Sequence, residues 1–262
     1  MRVEQLGEGT PEVAVLGGVH GDEPCGVRAV EHLLEERPAV ERPVKCIVAN
    51  EEAIARDVRY VDEDLNRAFP GDPSADTHEG RLAARLHGEL RDCVTLSMHS
   101  TQSHPEPFAV VNEVGPVAEA VCPYLSIESI VEAGDFTQGR LVEYADVVEV
   151  ECGLQRSETA AENGVRLARE FLGAVGALPG EARDRRSGVP IYRLSELIPK
   201  EAGQAHEVFV ENFGRVAAGE PFAATDGSEL VADEPFYPVL LSPYGYENVF
   251  GYAADLVGRL EL

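Results

Sequence analysis

The sequence predicts an α/β protein with a mixed, mostly parallel sheet and helices on both faces, followed by a small all-β region. Two observations support the first part. Short apolar runs alternate with segments of helical apolar spacing, and several of the runs end in glycine or a polar side chain. This alternation is typical of parallel sheets covered by helices. The third observation is a change in the sequence pattern near residue 182, after which short β-type runs are separated by turn residues.

The elements of the first part follow one another with few interruptions. Strands are predicted in "EVAVLGG", "VKCIVAN", "CVTLSMHS", "PFAVVN", "SIESIV" and "ADVVEVECG", because each is a short apolar run bounded by polar or turn residues. Helices are predicted over 22–36, in "GRLAARLHGELR" and over about 158–177, where apolar side chains recur every three or four residues.

A boundary is predicted in "ALPGEARDRRSGVP", which is rich in proline, glycine and charge. It divides the chain into a catalytic domain, residues 1–181, and a small β domain, residues 182–262. The second part contains "AHEVFVE", "EPFAATDGSELV" and "PFYPVLLSP", and the "TDGS" within it is a hairpin signal. We expect this β domain to cover the active site.

The composition restricts the partners and the environment of the protein. The formal net charge is −25, and lysine occurs only at Lys45 and Lys200. Such charge repels itself unless salt screens it, so we expect a high-salt cytoplasm. It also disfavours nucleic acid and anionic membranes as partners, whereas a homo-oligomer is compatible with it. No long apolar run or secretory signal is present, and the five scattered cysteines suggest no disulfide framework.

Polar side chains lie at the ends of several predicted strands. Asn50, His99 and Glu151 each end a strand, and His20 lies just past another. Ligands of parallel sheets bind at the carboxyl ends of the strands. We therefore expect these side chains to lie at one edge of the sheet.

"GGVHGDEPCG" places His20 and Glu23 three residues apart, where both can face the same way. Imidazole and carboxylate are good zinc ligands, and a catalytic zinc takes three protein ligands. His99 is the best third ligand, with His104 as an alternative. The competing interpretations are a polar turn at His20 and Glu23 and a hydrogen-bonded core histidine at His99.

"RYVDEDLNRAFPG" places Arg59, Asn66 and Arg67 in a loop beside the same strand ends. Two arginines and an asparagine can bind a carboxylate or an oxyanion. The alternative is that the arginines pair with the acidic residues 62–64 of the same loop. Glu151 is a candidate general base, unless it is simply an exposed residue at the sheet edge.

Four motifs in this order resemble the aspartoacylase and succinylglutamate desuccinylase family, part of the zinc carboxypeptidase-like group. They are "GGVHGDEPCG", "RYVDEDLNRAFPG", "LSMHS" and "VEVECG", and they cover roughly residues 15–155. The resemblance implies a zinc carboxypeptidase-like fold with a small C-terminal β domain. It implies one Zn²⁺ per chain, bound by His20, Glu23 and His99, with Glu151 as the catalytic carboxylate.

The resemblance also implies roles for residues around the metal. Arg59 would polarise the scissile carbonyl, and Asn66 and Arg67 would hold the carboxylate of the product. The remaining pocket residues that it implies are Asn50, Arg140 and Tyr246, with Tyr244 as a competitor of Tyr246.

From these residues we expect a zinc-dependent hydrolase that cleaves the amide bond of an N-acyl amino acid or a related small acylated amine. One alternative is a zinc carboxypeptidase that acts on peptides. A second is a non-catalytic protein that binds zinc and a carboxylate, and a third is an α/β binding module without metal.

Overall fold

The computed structural model describes residues 1–181, 184–245 and 248–261. The strands within these ranges are β1 (Arg2–Leu6), β2 (Val13–Gly17), β3 (Val44–Val48), β4 (Val94–Thr101), β5 (Phe108–Val111), β6 (Ile130–Glu132), β7 (Val147–Leu154), β8 (Val189–Pro199), β9 (His206–Val208), β10 (Pro221–Thr225), β11 (Ser228–Val231), β12 (Tyr237–Val239) and β13 (Val249–Leu260). The α-helices are α1 (Pro24–Glu36), α2 (Glu51–Arg56), α3 (His78–Leu90), α4 (Pro116–Val121) and α5 (Glu158–Ala174).

A ten-stranded mixed sheet forms the centre of the molecule, in the order β1-β3-β2-β4-β7-β5-β6-β8-β13-β12. Strands β3, β2, β4 and β7 run parallel to one another, so their carboxyl ends lie along one edge. Strand β5 is antiparallel to β7, and β6 and β8 continue parallel to β5. The predicted fold class is confirmed.

Both faces of the sheet are covered by helices, as the unbroken apolar runs require. Val13 and Val15 of β2 pack into the core cluster that also contains side chains of α1 and α5. Ala14 and Leu16, which point to the other face, pack into the cluster that contains the leucines of α3. Among the described residues, no helix is long and apolar enough to cross a bilayer.

The C-terminal strands extend the sheet. Strand β8 pairs in parallel with β6, and the long β13 pairs with both β8 and β12. Strands β9, β10 and β11 form a separate three-stranded sheet. Strands from both sides of the boundary near residue 182 thus share one sheet, and the division into domains stays a prediction.

The close approach of β2 to α1 depends on two glycines. A Cβ on Gly17 would lie 2.2 Å from the carbonyl carbon of Gly26, and one on Gly26 would lie 2.9 Å from the carbonyl oxygen of Met98. Side chains at either position would push α1 off the sheet. The turn between β2 and α1 carries His20 and Glu23, so this contact also positions them.

We predict that Gly17→Ala lowers the free energy of unfolding by about 2–3 kcal/mol, because the new methyl group meets backbone atoms that cannot move aside. Gly88→Ala is the matched control. Gly88 lies on the exposed face of α3, and a methyl group added there would have no atom within 4 Å, so alanine stabilises the helix by about 0.5–1 kcal/mol. Urea denaturation should show a lower free energy of unfolding for Gly17→Ala and a higher one for Gly88→Ala. A Gly17→Ala variant as stable as the wild type would contradict the packing described.

Candidate metal and catalytic site

The turn after β2 brings His20 and Glu23 into contact. Nδ1 of His20 lies 2.9 Å from Oε1 of Glu23, and both side chains are buried. The turn is pressed against α2, since a Cβ on Gly21 would lie 2.2 Å from the carbonyl carbon of Ala53. The Gly21 N–H donates to the carbonyl oxygen of Arg59 at 3.1 Å, which ties the turn to the arginine-bearing loop.

His99 reaches the same point from β4. Its Nδ1 lies 3.2 Å from Oε2 of Glu23, and its ring centroid is 5.2 Å from that of His20. Potential ligand atoms of His20, Glu23 and His99 all lie within 4.8 Å of one another. This group can hold a metal ion.

The electrostatics of the three side chains also suit a cation. Burial lowers the pKa of both histidines, but neighbouring carboxylates outweigh it and the net pKa is raised, for His99 to about 10. Burial raises the pKa of Glu23, yet the two histidines bring it well below its usual range. The site therefore favours positive charge at its centre, which a divalent ion can supply with neutral imidazole ligands.

Further polar groups orient the two histidines. Nε2 of His20 contacts Oδ1 of Asp64 at 3.0 Å, and Oδ2 of Asp64 accepts from Nη2 of Arg59 at 3.0 Å. Nε2 of His99 contacts Oγ of Ser97 at 3.1 Å. Such contacts determine which ring nitrogen is available to a metal, here Nδ1 in both histidines.

Glu151 lies directly beside His99 in the β4–β7 pairing. Its Oε2 is buried and receives no hydrogen bond from the described residues. Burial, and then the charge of Glu23, raise the pKa of Glu151 to about 7, although His99 opposes the shift. A carboxylate of this kind can accept and return a proton near neutral pH.

These groups face a cavity of about 160 Å³ at the carboxyl edge of the parallel strands. The rest of the cavity wall comes from the loop before α3, from residue 140 and from the segment after β12. The members of this wall that matter for the chemistry are Arg59, Asn66, Arg67, Arg140, Leu240 and Ser242.

The structure brings most of the predicted site residues to this cavity, but not all. Asn50 lies elsewhere: it is fully buried, and its Oδ1 accepts from the N–H of Ala53 at 3.2 Å and so caps α2. Tyr246 lies outside the described residues, and its competitor Tyr244 is 77% exposed. His104, the alternative ligand, pairs with Glu128 instead.

Two cavity residues among those predicted are already engaged within the protein. Asn66 donates from Nδ2 to Oε1 of Glu149 at 3.0 Å and accepts from the N–H of Leu141 at 2.9 Å. Arg140 donates to the hydroxyl oxygen of Tyr252 at 3.0 Å. Asn66 therefore shapes the cavity wall through both ends of its amide.

Sequence reasoning missed Glu149 and underestimated Asp64. Glu149 lines the cavity, and the signal for it was its position two residues before Glu151, which in a strand means the same face. Asp64 pairs with Arg59, as the surface-loop alternative supposed, yet it is only 16% exposed in its side chain and also contacts His20.

Glu79 holds the loop that carries Arg59 and Asp64. Its buried carboxylate accepts from the backbone N–H of Val61 at 2.7 Å, from that of Asp62 at 3.0 Å and from Nδ2 of Asn50 at 2.9 Å. Burial raises the pKa of Glu79, but these donors lower it below its usual value. Asn50 thus acts on the site through Glu79.

A mixed sheet with a His–Glu–His group at its strand ends defines a zinc carboxypeptidase-like fold. The structure of murine aminoacylase 3 superposes with a TM-score of 0.77 at 20% identity and covers 97% of this chain and 99% of that one. Residues 9–125 match the catalytic-domain model of the succinylglutamate desuccinylase/aspartoacylase family. Over this segment the chain is similar to that family.

Curated relatives match about a third of the chain. Aspartoacylase of Xenopus tropicalis is 43% identical over 108 residues, which are 35% of this chain and 34% of that protein. The N-acyl-aromatic-L-amino acid amidohydrolase (carboxylate-forming) of the same species is 33% identical over 107 residues, 36% of this chain and 34% of that protein. The chain thus matches about a third of the length of these relatives.

We predict that Glu79→Gln lowers the free energy of unfolding by about 2 kcal/mol at pH 7, because an amide cannot accept from all of these donors. The folded pKa of Glu79 is lowered, so its stabilisation is present above the unfolded pKa of about 4.3 and is lost as the pH falls through the folded pKa. The difference in free energy of unfolding between the wild type and Glu79→Gln should therefore become smaller at acidic pH.

Denaturant titrations at several pH values measure this difference. Glu113→Gln, at an exposed position, is the control and should change stability by less than about 0.5 kcal/mol. A Glu79→Gln difference that stays constant with pH would contradict the role assigned to the carboxylate.

Proposed function

We propose that this chain is a zinc-dependent deacylase that hydrolyses the amide bond of an N-acyl amino acid or a related small acylated amine. The observation that carries the proposal is Glu151. It places a buried carboxylate oxygen without a hydrogen-bond partner among the described residues in the cavity of the His–Glu–His group. A protein that only bound a carboxylate ligand would gain nothing from an unpaired carboxylate there.

His20, Glu23 and His99 would hold the ion, and two imidazoles with one carboxylate are a ligand set that zinc shares with known hydrolases. When bound, the ion supplies Lewis-acid polarisation of the carbonyl and lowers the pKa of water toward about 7.

Glu151 moves the proton. Its carboxylate accepts a proton from the water that attacks the carbonyl carbon, and returns that proton to the nitrogen as the C–N bond breaks. The products are a carboxylate and a free amine, so one water is consumed for each amide cleaved. General acid–base catalysis of this kind contributes about 10²–10⁴-fold.

The arginines at the cavity supply positive charge for the substrate. Arg59 lines the cavity and contacts Glu23 at 3.0 Å and Asp64. We assign its guanidinium to the charge that develops on the carbonyl oxygen. Arg67 is assigned to the carboxylate of the amino acid product, with Arg140 on the same wall.

The cavity favours a small substrate over a peptide. Its volume of about 160 Å³ suits a compact acylated amino acid better than an extended chain, and Leu240 and Ser242 form part of its wall. The activities named for the relatives, an aspartoacylase and an N-acyl amino acid amidohydrolase, support the same class of substrate. We retain the salt-rich cytoplasm as part of the proposal, since the net charge of −25 requires screening.

We predict that Glu151→Gln lowers kcat by about a thousandfold on any N-acyl amino acid that the wild type hydrolyses, while zinc content stays at the wild-type level. The amide keeps the shape of the side chain but cannot accept the proton. Turnover in molar salt and metal content are measured on the same preparations, with Glu113→Gln as the control.

Near wild-type turnover by Glu151→Gln would overturn the assignment of the base. Absence of hydrolysis by the wild type across N-acetyl and N-succinyl amino acids would overturn the proposed activity itself, and hydrolysis of short peptides alone would favour the carboxypeptidase alternative.

A further inference from the structure

Glu149 is a second carboxylate in the cavity that the proposed chemistry does not use. It lies on β7 on the same face as Glu151, and only 5% of the residue is exposed. It nevertheless lines the cavity. A carboxylate is costly to bury, so a buried one that faces a ligand cavity requires a compensating partner.

The protein supplies only part of that compensation. Oε1 of Glu149 accepts one hydrogen bond, from Nδ2 of Asn66 at 3.0 Å. Nε2 of His99 lies 3.8 Å away, beyond hydrogen-bond range, and contacts Oγ of Ser97 instead. In the described part of the chain, no hydrogen bond reaches Oε2 of Glu149.

The arginines of the cavity are directed to other groups. The guanidinium of Arg59 pairs with Glu23 and Asp64, that of Arg67 donates to the carbonyl oxygen of Asn66, and that of Arg140 donates to the hydroxyl of Tyr252. Across residues 1–181, 184–245 and 248–261, no arginine or lysine forms an ion pair with Glu149. Its negative charge therefore stays available to a ligand.

The charges of the cavity match a particular kind of ligand. Glu149 and Glu151 place two carboxylates side by side on β7, and Arg67 and Arg140 line the same cavity. A molecule that carries both a carboxylate and a protonated amine would find an oppositely charged group for each of them in this cavity. A neutral amino acid side chain would leave Glu149 without a partner, and an anionic side chain would be repelled by it.

We infer that Glu149 forms a subsite for a protonated amine, so that the substrates are N-acylated amino acids or amines that carry a second, cationic amino group. This inference rests on the proposed deacylase function and specifies its substrate class. Asn66 acts as a positioning residue, because its hydrogen bond holds Oε1 and turns the carboxylate toward the cavity.

The test compares two substrates of similar shape and different charge. Nα-acetyl-L-ornithine and Nα-acetyl-L-norleucine differ only in the terminal ammonium or methyl group. With zinc-loaded wild type we expect kcat/KM to favour the ornithine derivative by at least about tenfold, the effect of one charge-assisted hydrogen bond. Glu149→Gln should reduce that ratio to near one, whereas Glu113→Gln should preserve it.

A second measurement does not depend on turnover. Isothermal titration of zinc-loaded Glu151→Gln protein with the products, L-ornithine and L-norleucine, should show tighter binding of L-ornithine. The preference should vanish in the Glu149→Gln/Glu151→Gln double variant. If the wild type hydrolyses none of the N-acetyl and N-succinyl substrates but this binding preference holds, the proposed activity fails and the subsite stands.

Two results would overturn the subsite. One is a wild type that prefers the norleucine derivative or treats both equally. The other is a Glu149→Gln variant that binds zinc more weakly and loses activity equally on both substrates. That pattern would mean that Glu149 only positions His99 and does not contact the substrate.

Discussion

The buried carboxylate of Glu23 is the interaction on which the rest of the site depends. Its Oε1 contacts Nδ1 of His20 and Nη1 of Arg59, and its Oε2 contacts Nδ1 of His99 and accepts from the N–H of Ser100. An isolated buried carboxylate would be strongly destabilising. Glu23 therefore holds a turn, a loop and a strand together around one point, where His20, Glu23 and His99 could bind a metal ion.

The backbone makes this convergence possible. Parallel pairing of β2, β4 and β7 delivers His20, His99 and Glu151 to one edge. The glycine contact between β2 and α1 lets the helix that begins after Glu23 lie close to the sheet. Glu79 then holds the loop of Arg59 and Asp64 against this edge through backbone donors. The chemistry thus depends on ordinary packing and on hydrogen bonds some distance from the cavity.

The fold class and the metal-binding group could be predicted from the sequence, because both depend on where the apolar runs of the strands end. His20, His99 and Glu151 were identifiable since each follows an apolar run, and the sheet brings such positions together. Strand β1 was missed because its mostly polar and exposed residues form no apolar run. Asn50 ends an apolar run as His99 does, but an asparagine after a strand can equally cap the next helix, and here it does.

Other features depend on contacts between segments far apart in the chain. The hydrogen bond from Asn66 to Glu149 joins residues 83 positions apart, and the contact of His20 with Asp64 joins residues 44 positions apart. No local pattern encodes such pairs. The same holds for the C-terminal strands. The region after residue 182 was predicted to be β, but the runs identified there did not include β8 or β13, and the pairing of these strands with the central sheet was not predictable.

The most direct test of the account is a zinc titration of chelator-treated protein by calorimetry in molar salt. We expect one zinc per chain for the wild type and for His104→Ala, whose imidazole pairs with Glu128, and an affinity at least about a hundredfold weaker for Glu23→Gln. Wild-type protein that binds no zinc, or Glu23→Gln protein that binds it as tightly as the wild type, would contradict the central claim.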